Sequence, residues 1–390
     1  MELKDFLWSL ITIYVSARVM GELAVRVGQP SVLGELLAGV LVGGSVLGWV
    51  EQTETLKLLG EVGIILLLFE VGLASDLQSF LKVGWSAAAV AALGVVTPFV
   101  LGYGLAVALH MTPLQAIFVG ATLTATSVAI SARVLFDLGK LKTTEGNIIL
   151  GAAVIDDILG LVTLSVIVGL AESGNVSWLE VSRTAALAFL FLGLAILVGI
   201  RYAHLFSTLV NHMNTRGRII IAAMTFALLL GYVAELMHMA PIIGAFAAGL
   251  VLARTEHQAN IDEKVRPVAD VFVPIFFVLI GAAVDLRYLN PLYAQNWPVL
   301  LLAGGLTAAA VVGKLAAGLG ALGEKVNRLA IGVGMLPRGE VGLIFAGVGL
   351  YHGIIAEGEY GAIVAVVMLT TLVSPVLLKL VFKGTRSDMS

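Results

Sequence analysis

The sequence predicts an all-α polytopic membrane protein: thirteen transmembrane helices in two inverted repeats, with the fifth and twelfth helices interrupted. Three observations predict it. Of 390 residues, 59% are hydrophobic and 13% charged, where a soluble domain carries about 25% charged residues; mean hydropathy is +1.01. The apolar residues fall in runs close to the ~20 residues a spanning helix needs. Two stretches of the chain also echo each other about 210 residues apart.

The spans follow in order. Span 1, 5–27, is longer than a signal h-region of about 7–15 residues. It lacks a basic n-region and a small-x-small cleavage site, so it reads as a retained helix. Span 2, 31–49, is short and follows Pro30. Spans 3 (55–74) and 4 (81–109) are long apolar runs. Span 5 (113–137) contains Thr122, Thr124, Thr126 and Ser127, whose hydroxyls can bond backbone groups in place of helix bonds. Span 6 (144–171) carries Asp156 and Asp157, and span 7 (178–205) joins the halves. Spans 8 (215–238), 9 (240–255, again short) and 10 (263–284) lead to span 11 (295–322), which carries Lys314. Span 12 (326–352) holds Leu336-Pro337-Arg338-Gly339-Glu340, and span 13 (358–382) leaves only a short tail. Proline removes a donor and clashes one turn back, so the predicted break in span 12 falls there.

The echo is specific in order and spacing. Pro30, Gly34, Ala38 and Gly39 match Pro241, Gly244, Ala248 and Gly249. Gly72-x-x-x-Asp76-Leu77 matches Gly281-x-x-x-Asp285-Leu286. Spans 1–6 then correspond to 8–13. The offset is seven spans, an odd number, so the halves insert with opposite orientation. Inverted repeats with discontinuous helices in matching places characterise secondary transporters, which bind their substrate at the midplane. The plain alternative is convergent Gly/Ala packing.

Charge gives the sidedness. Lys4, Lys57, Arg183 and Arg287 lie on the N-terminal side, and sixteen lysines and arginines lie on the other. Positive residues concentrate in the cytoplasm, so the chain is expected to be multi-pass in the cell inner (plasma) membrane, N-terminus outside and C-terminus cytoplasmic. No basic cluster fits nucleic acid. With no cysteine, thiolate metal sites and cysteine nucleophiles are excluded. The six histidines fall near span ends without metal-ligand spacing, and no cofactor is expected.

An Asp at the centre of a spanning helix costs about 2.5–3.5 kcal/mol, and span 6 carries two in succession. Neighbours on a helix point about 100° apart, so Asp156 and Asp157 cannot share a proton face to face, and each needs its own partner. Lys314 is the lysine in the middle of a span. The expected arrangement pairs Lys314 with Asp156 and leaves Asp157, assisted by Asp156, to bind a monovalent cation. Thr126 and Ser127 in one break, and Arg338 and Glu340 in the other, are expected to support the crossing and offset exposed helix dipoles. Glu35 and Glu70 read equally as structural partners or pathway residues, and Arg18 with Glu22 as a local i,i+4 pair.

An apolar medium disfavours charge on carboxyl and amine alike, so a cation and protons compete for one site. With alternating access, that competition produces antiport. Three other readings are weaker. A structural ion pair does not account for the second Asp. A channel would show filter motifs, and none appears. An intramembrane hydrolase would need a facing dyad.

The Ala-Ala-Val-Ile-Asp-Asp run, the Thr-Ala-Thr-Ser run, Lys314 and Pro-Arg-Gly-Glu together resemble the bacterial cation:proton antiporter-2 family, NapA-type sodium/proton antiporters. The resemblance covers essentially the whole chain. It implies an NhaA-like antiporter fold and a homodimer among membrane lipids, not an enzyme. It also implies a dimerisation domain (1–80 and 211–290), an ion-transport core (81–175 and 291–390) and a linker helix (176–210). The Asp-Asp pair with a lysine resembles electrogenic members that exchange two protons per sodium. Transport of sodium or lithium against protons is expected; potassium/proton exchange on the same fold is the alternative, and a cation channel a more distant one. One departure stands out: relatives often have an acidic residue directly after Gly-Leu at the end of span 3, where this chain has Ala74-Ser75-Asp76. Nor does the chain show the C-terminal nucleotide-binding domain of glutathione-gated potassium efflux relatives.

Overall fold

The computed structural model describes residues 2–75, 77–237, 239–283, 297–321 and 325–384. Asp76, His238, Asp285, Arg287 and the tail 385–390 lie outside the described residues, as does the Glu340 side chain. Among the described residues there is no strand. Among the same residues, eight helices are long and apolar enough to cross a membrane.

The helices are α1 (Leu3–Arg26), α2 (Ser31–Val42), α3 (Glu54–Ala74), α4 (Leu77–Lys82), α5 (Gly84–Ala108), α6 (Pro113–Thr122), α7 (Val128–Asp137) and α8 (Thr144–Ser173). They continue as α9 (Trp178–His212), α10 (Arg218–Leu236), α11 (Pro241–Leu252), α12 (Gln258–Ala282), α13 (Trp297–Ala317), α14 (Arg328–Gly334), α15 (Glu340–Tyr351) and α16 (Glu357–Gly384). Their starts obey local chemistry. Thr53, Thr143 and Asn327 accept backbone N–H groups of α3, α8 and α14, and Thr112 forms a capping box with Gln115 before Pro113. These contacts satisfy donors that a helix N-terminus leaves open.

Two sequence expectations are corrected. α2 stops well short of 31–49, while α11 falls within a few residues of 240–255. In the first case the chain leaves the helix at Gly43 and turns through Gly48, at φ 64°. Glu22 pairs with Arg26 at 3.0 Å rather than with Arg18; the carboxylate N-terminal to the cation is the favoured i,i+4 order.

Packing sorts the helices into two groups. In one, α3 lies against α11 and α12, α2 against α1 and α12, and α10 against α11. In the other, α5 meets α6, α8 and α13, and α16 meets α13, α14 and α15. α9 touches both groups, through α11 and α8.

The first group meets backbone to backbone. A Cβ on Gly39 would sit 2.0 Å from the Val278 carbonyl oxygen, and one on Gly281 would sit 2.0 Å from that of Leu36. The same holds for Gly249 against Phe69 (2.2 Å) and Gly72 against Phe246 (2.3 Å). Only glycine permits these approaches, because any side chain would overlap the facing carbonyl.

Candidate ion-binding site where two broken helices cross

Both expected breaks are present. α6 ends at Thr122 and α7 begins at Val128; α14 ends at Gly334 and α15 begins at Glu340. Each break frees backbone groups that lipid could not satisfy, and the two satisfy each other. Ser127 N–H donates to the Pro337 carbonyl at 2.8 Å. The Thr126 hydroxyl donates to the Met335 carbonyl at 3.2 Å, and that of Ser131 to Gly334 at 2.6 Å. Thr371 donates to the Arg338 carbonyl at 2.7 Å.

Two cations are spent on the open carbonyls after α6. Arg338, 1% exposed, donates through Nη1 to the carbonyls of Leu123 and Ala125. Lys314, fully buried, donates through Nζ to the Thr124 carbonyl and, at 2.7 Å, to the Thr126 hydroxyl. Positive charge at a helix C-terminus is where the macrodipole favours it. Glu340 is the first residue of α15, the end where the dipole favours an acid.

Lys314 reaches this point because α13 presses against α5. A Cβ on Gly313 would lie 2.7 Å from Pro98 Cα, and the Thr97 hydroxyl donates to the Gly313 carbonyl at 2.6 Å. Pro98 sits inside α5 and cannot donate there.

Asp156 and Asp157 diverge on α8 as helical geometry requires. Asp156 is 2% exposed, and its Oδ2 lies 3.6 Å from Lys314 Nζ. Asp157 is half-buried and lines a cavity of about 40 Å³ with Thr126, Ser127, Ile64, Phe276 and Gly339. A second cavity of about 300 Å³ shares Phe276, Ile280 and Gly339 with the first and extends past Arg338 to Gln52, Lys57 and Glu61. Lys57 and Glu61 are exposed at its rim. A route therefore leads from the surface at the start of α3 towards Asp157, between the two groups of helices.

The structure thus brings Asp156, Asp157, Lys314, Thr126, Ser127 and Arg338 to one crossing. It resolves Glu35 and Glu70 as partners of Arg133 and Arg266, at 3.7 and 3.1 Å. The sequence had placed both arginines among the basic residues of span ends. Its one hint was the i,i+4 spacing of Arg133 and Asp137, which do pair, at 3.2 Å. Among the described residues no group of three or more His, Cys, Asp or Glu could hold a metal ion. A transported monovalent cation would rely instead on carboxylate, hydroxyl and carbonyl oxygens.

Comparison with known proteins shows the family. A family model described as "Sodium/hydrogen exchanger, transmembrane" matches residues 11–384. The chain is 40% identical to the high-affinity Na(+)/H(+) antiporter NhaS3 of Synechocystis sp., over 99% of this chain and 92% of that protein. It is 38% identical to the Na(+)/H(+)-K(+) antiporter GerN of Bacillus cereus, over 99% of this chain and 98% of that one. Among solved structures, the sodium proton antiporter MjNhaP1 from Methanocaldococcus jannaschii superposes with a TM-score of 0.74 at 19% identity, covering 100% of both chains. That likeness is one of fold.

Proposed function

The chain belongs to the sodium/hydrogen exchanger family, and on that premise we propose that it exchanges sodium or lithium for protons across a membrane by alternating access. The observation that carries the reading is the ion pair of Asp156 with Lys314, 3.6 Å apart, at the crossing of two broken helices, with Asp157 on the adjoining cavity. A membrane interior tolerates such charges where they serve an ion path.

In the proposed cycle, Asp157 offers the first carboxylate to an entering cation, with Thr126 and Ser127 beside it on the same cavity. The cation draws Asp156 from Lys314. Stripped of its counter-ion in a dry site, the ammonium gives up its proton, and Asp157 has already lost its own. Protonation from the other side reverses both steps and expels the cation. Two protons then move against one cation, so the exchange is electrogenic. No metal cofactor or covalent step enters; the work is transport, not catalysis.

The packing supports a division into a stationary unit of α1–α3 and α10–α12 and a moving core of α5–α8 and α13–α16, with α9 as linker. In chain numbers these are 1–80 with 211–290, and 81–175 with 291–390, joined by 176–210. The stationary unit would carry a homodimer contact. The matched close contacts of Gly39 and Gly249, and of Gly72 and Gly281, support the inverted repeat, and thirteen spans is the count that goes with it in this reading. On the charge distribution, the N-terminus lies outside the plasma membrane and the C-terminus in the cytoplasm.

Potassium is the alternative cation, and GerN, named for both ions, keeps it in view. Proteoliposomes loaded at set pH and potential, then given sodium, lithium or potassium, decide. Saturable sodium- or lithium-driven proton efflux is expected. Flux without counter-transport of protons would refute antiport.

A further inference from the structure

The route past Lys57 and Glu61 reaches the site from one end of α3 and α12. A polar network occupies the opposite end. Arg133, on α7, lies 3.7 Å from Glu35 of α2 through Nη2, and 3.2 Å from Asp137 of its own helix through Nε. The same Nη2 donates to the Ser31 hydroxyl at 3.3 Å, and Ser31 in turn donates to Asp137 at 3.0 Å. Beside this, Arg266 of α12 holds Glu70 of α3 at 3.1 Å and Asp262 at 2.9 Å, and its guanidinium sits 5.5 Å from the Phe136 ring of α7. Every one of these contacts from α7 to α2 or α12 joins a helix of the core to one of the stationary unit.

We infer that Arg133 is a positioning residue for transport: its contacts with Glu35 and Ser31 lock α7 against α2 and keep the site shut at the Glu70 end while it stays open at the Lys57 end. This rests on the moving-core reading above. α7 starts at the crossing itself, directly after Ser127, so the core cannot shift without carrying Arg133 away from Glu35. The partners are not symmetric. Arg133 keeps Asp137 wherever α7 goes, because both are on that helix. Glu35 is buried, 6% exposed, and its second carboxylate oxygen has no hydrogen-bond partner. Without Arg133 it is a charge in a dry place, and the conformation that admits water to it becomes the favoured one. Removing Arg133 should therefore tip the equilibrium towards opening at the Glu70 end rather than merely loosen the fold.

The chain has no cysteine, so single-cysteine reporters carry no background. Leu343→Cys reports on the larger cavity. Ala129→Cys, one turn before Arg133, is 4% exposed and lines the smaller cavity beside Asp157, so its labelling from the opposite side reports whether that cavity opens at the Glu70 end. Both are labelled with a membrane-impermeant maleimide in vesicles of each orientation. With Arg133→Ala, labelling of Leu343→Cys from the Lys57 side should slow about tenfold, and labelling of Ala129→Cys from the opposite side should rise by a similar factor, as a population shift requires. Glu35→Gln removes the same contact with less disruption and carries the test if the alanine variant misfolds; its shift should have the same direction. Arg133→Lys should restore much of the parent pattern. Both reporters unchanged, or both faster, would overturn the lock. If labelling in the parent ignores an imposed sodium gradient at both positions, the moving-core reading itself fails; if the parent responds and Arg133→Ala does not differ from it, only the lock fails.

Discussion

Lys314 faces Asp156 across 3.6 Å but spends its hydrogen bonds on Thr126 and Thr124. That separation is an ion pair and too long for a hydrogen bond. The lysine is therefore anchored by the broken helix, and Asp156 can leave it without dismantling the ammonium's site. A partner held by charge alone is one that an arriving cation can compete for.

The first prediction concerns that charge. An electrogenic exchanger feels about 2.3 kcal/mol per elementary charge per 100 mV. Lys314→Gln should remove most of the response of exchange to an imposed potential, read in proteoliposomes with valinomycin-clamped voltage. A variant as voltage-sensitive as the parent would remove the lysine from the charge accounting.

Asp157→Asn should abolish cation-driven proton movement, because the carboxylate on the cavity is lost while Asp156 and Lys314 remain paired. Asp156→Asn should instead leave Lys314 without its counter-ion and favour loss of its proton, lowering activity and lowering stability by less than the ~3–5 kcal/mol of an unrelieved buried charge. Fluorescence quenching of a pH dye and a melting curve in detergent separate the two. Retained exchange in Asp157→Asn would contradict its role.

Arg338 satisfies the carbonyls of Leu123 and Ala125. Each buried acceptor left open costs about 1–3 kcal/mol, so Arg338→Ala should lower the melting temperature sharply. Arg338→Lys keeps the charge and part of the donor set and should lose less. Equal losses would mean that packing, not carbonyl satisfaction, sets the arginine's contribution.

Glycine substitutions test the close packing of α2, α3, α11 and α12. Gly39→Ala and Gly249→Ala each place a methyl within 2.2 Å of a facing carbonyl oxygen. Overpacking of this kind costs about 1–3 kcal/mol. Gly104→Ala, in α5 with nothing within 4 Å of the added carbon, should be neutral or stabilising. Melting curves that rank the three alike would remove close backbone approach as the reason for glycine at 39 and 249.

How far the sequence carried the reading varies by residue. Asp156, Asp157 and Lys314 were legible because a charge inside an apolar run is costly and so conspicuous. Pro337 and the Thr122–Ser127 hydroxyls announced the breaks by removing or replacing helix bonds. What could not be read was which carbonyl each cation would meet, since Leu123 and Arg338 come together only when two distant segments cross. Arg133 and Arg266 were hidden for a different reason: charged residues near the ends of apolar runs look like ordinary interfacial anchors, and only packing shows that Arg133 faces Glu35. The length of α2 was overestimated because apolar residues, Val46, Leu47 and Trp49 among them, continue past Gly43, where the helix ends.

The glycine contacts of α2, α3, α11 and α12 have a mechanical consequence. Side-chain layers between helices can yield by changing rotamers; a joint of main chain on main chain has no such give. These four helices therefore behave as a stiff frame, and force developed when an ion binds on one flank is not absorbed there. In the proposed cycle, the displacement it causes appears at the seam where α7 abuts that frame.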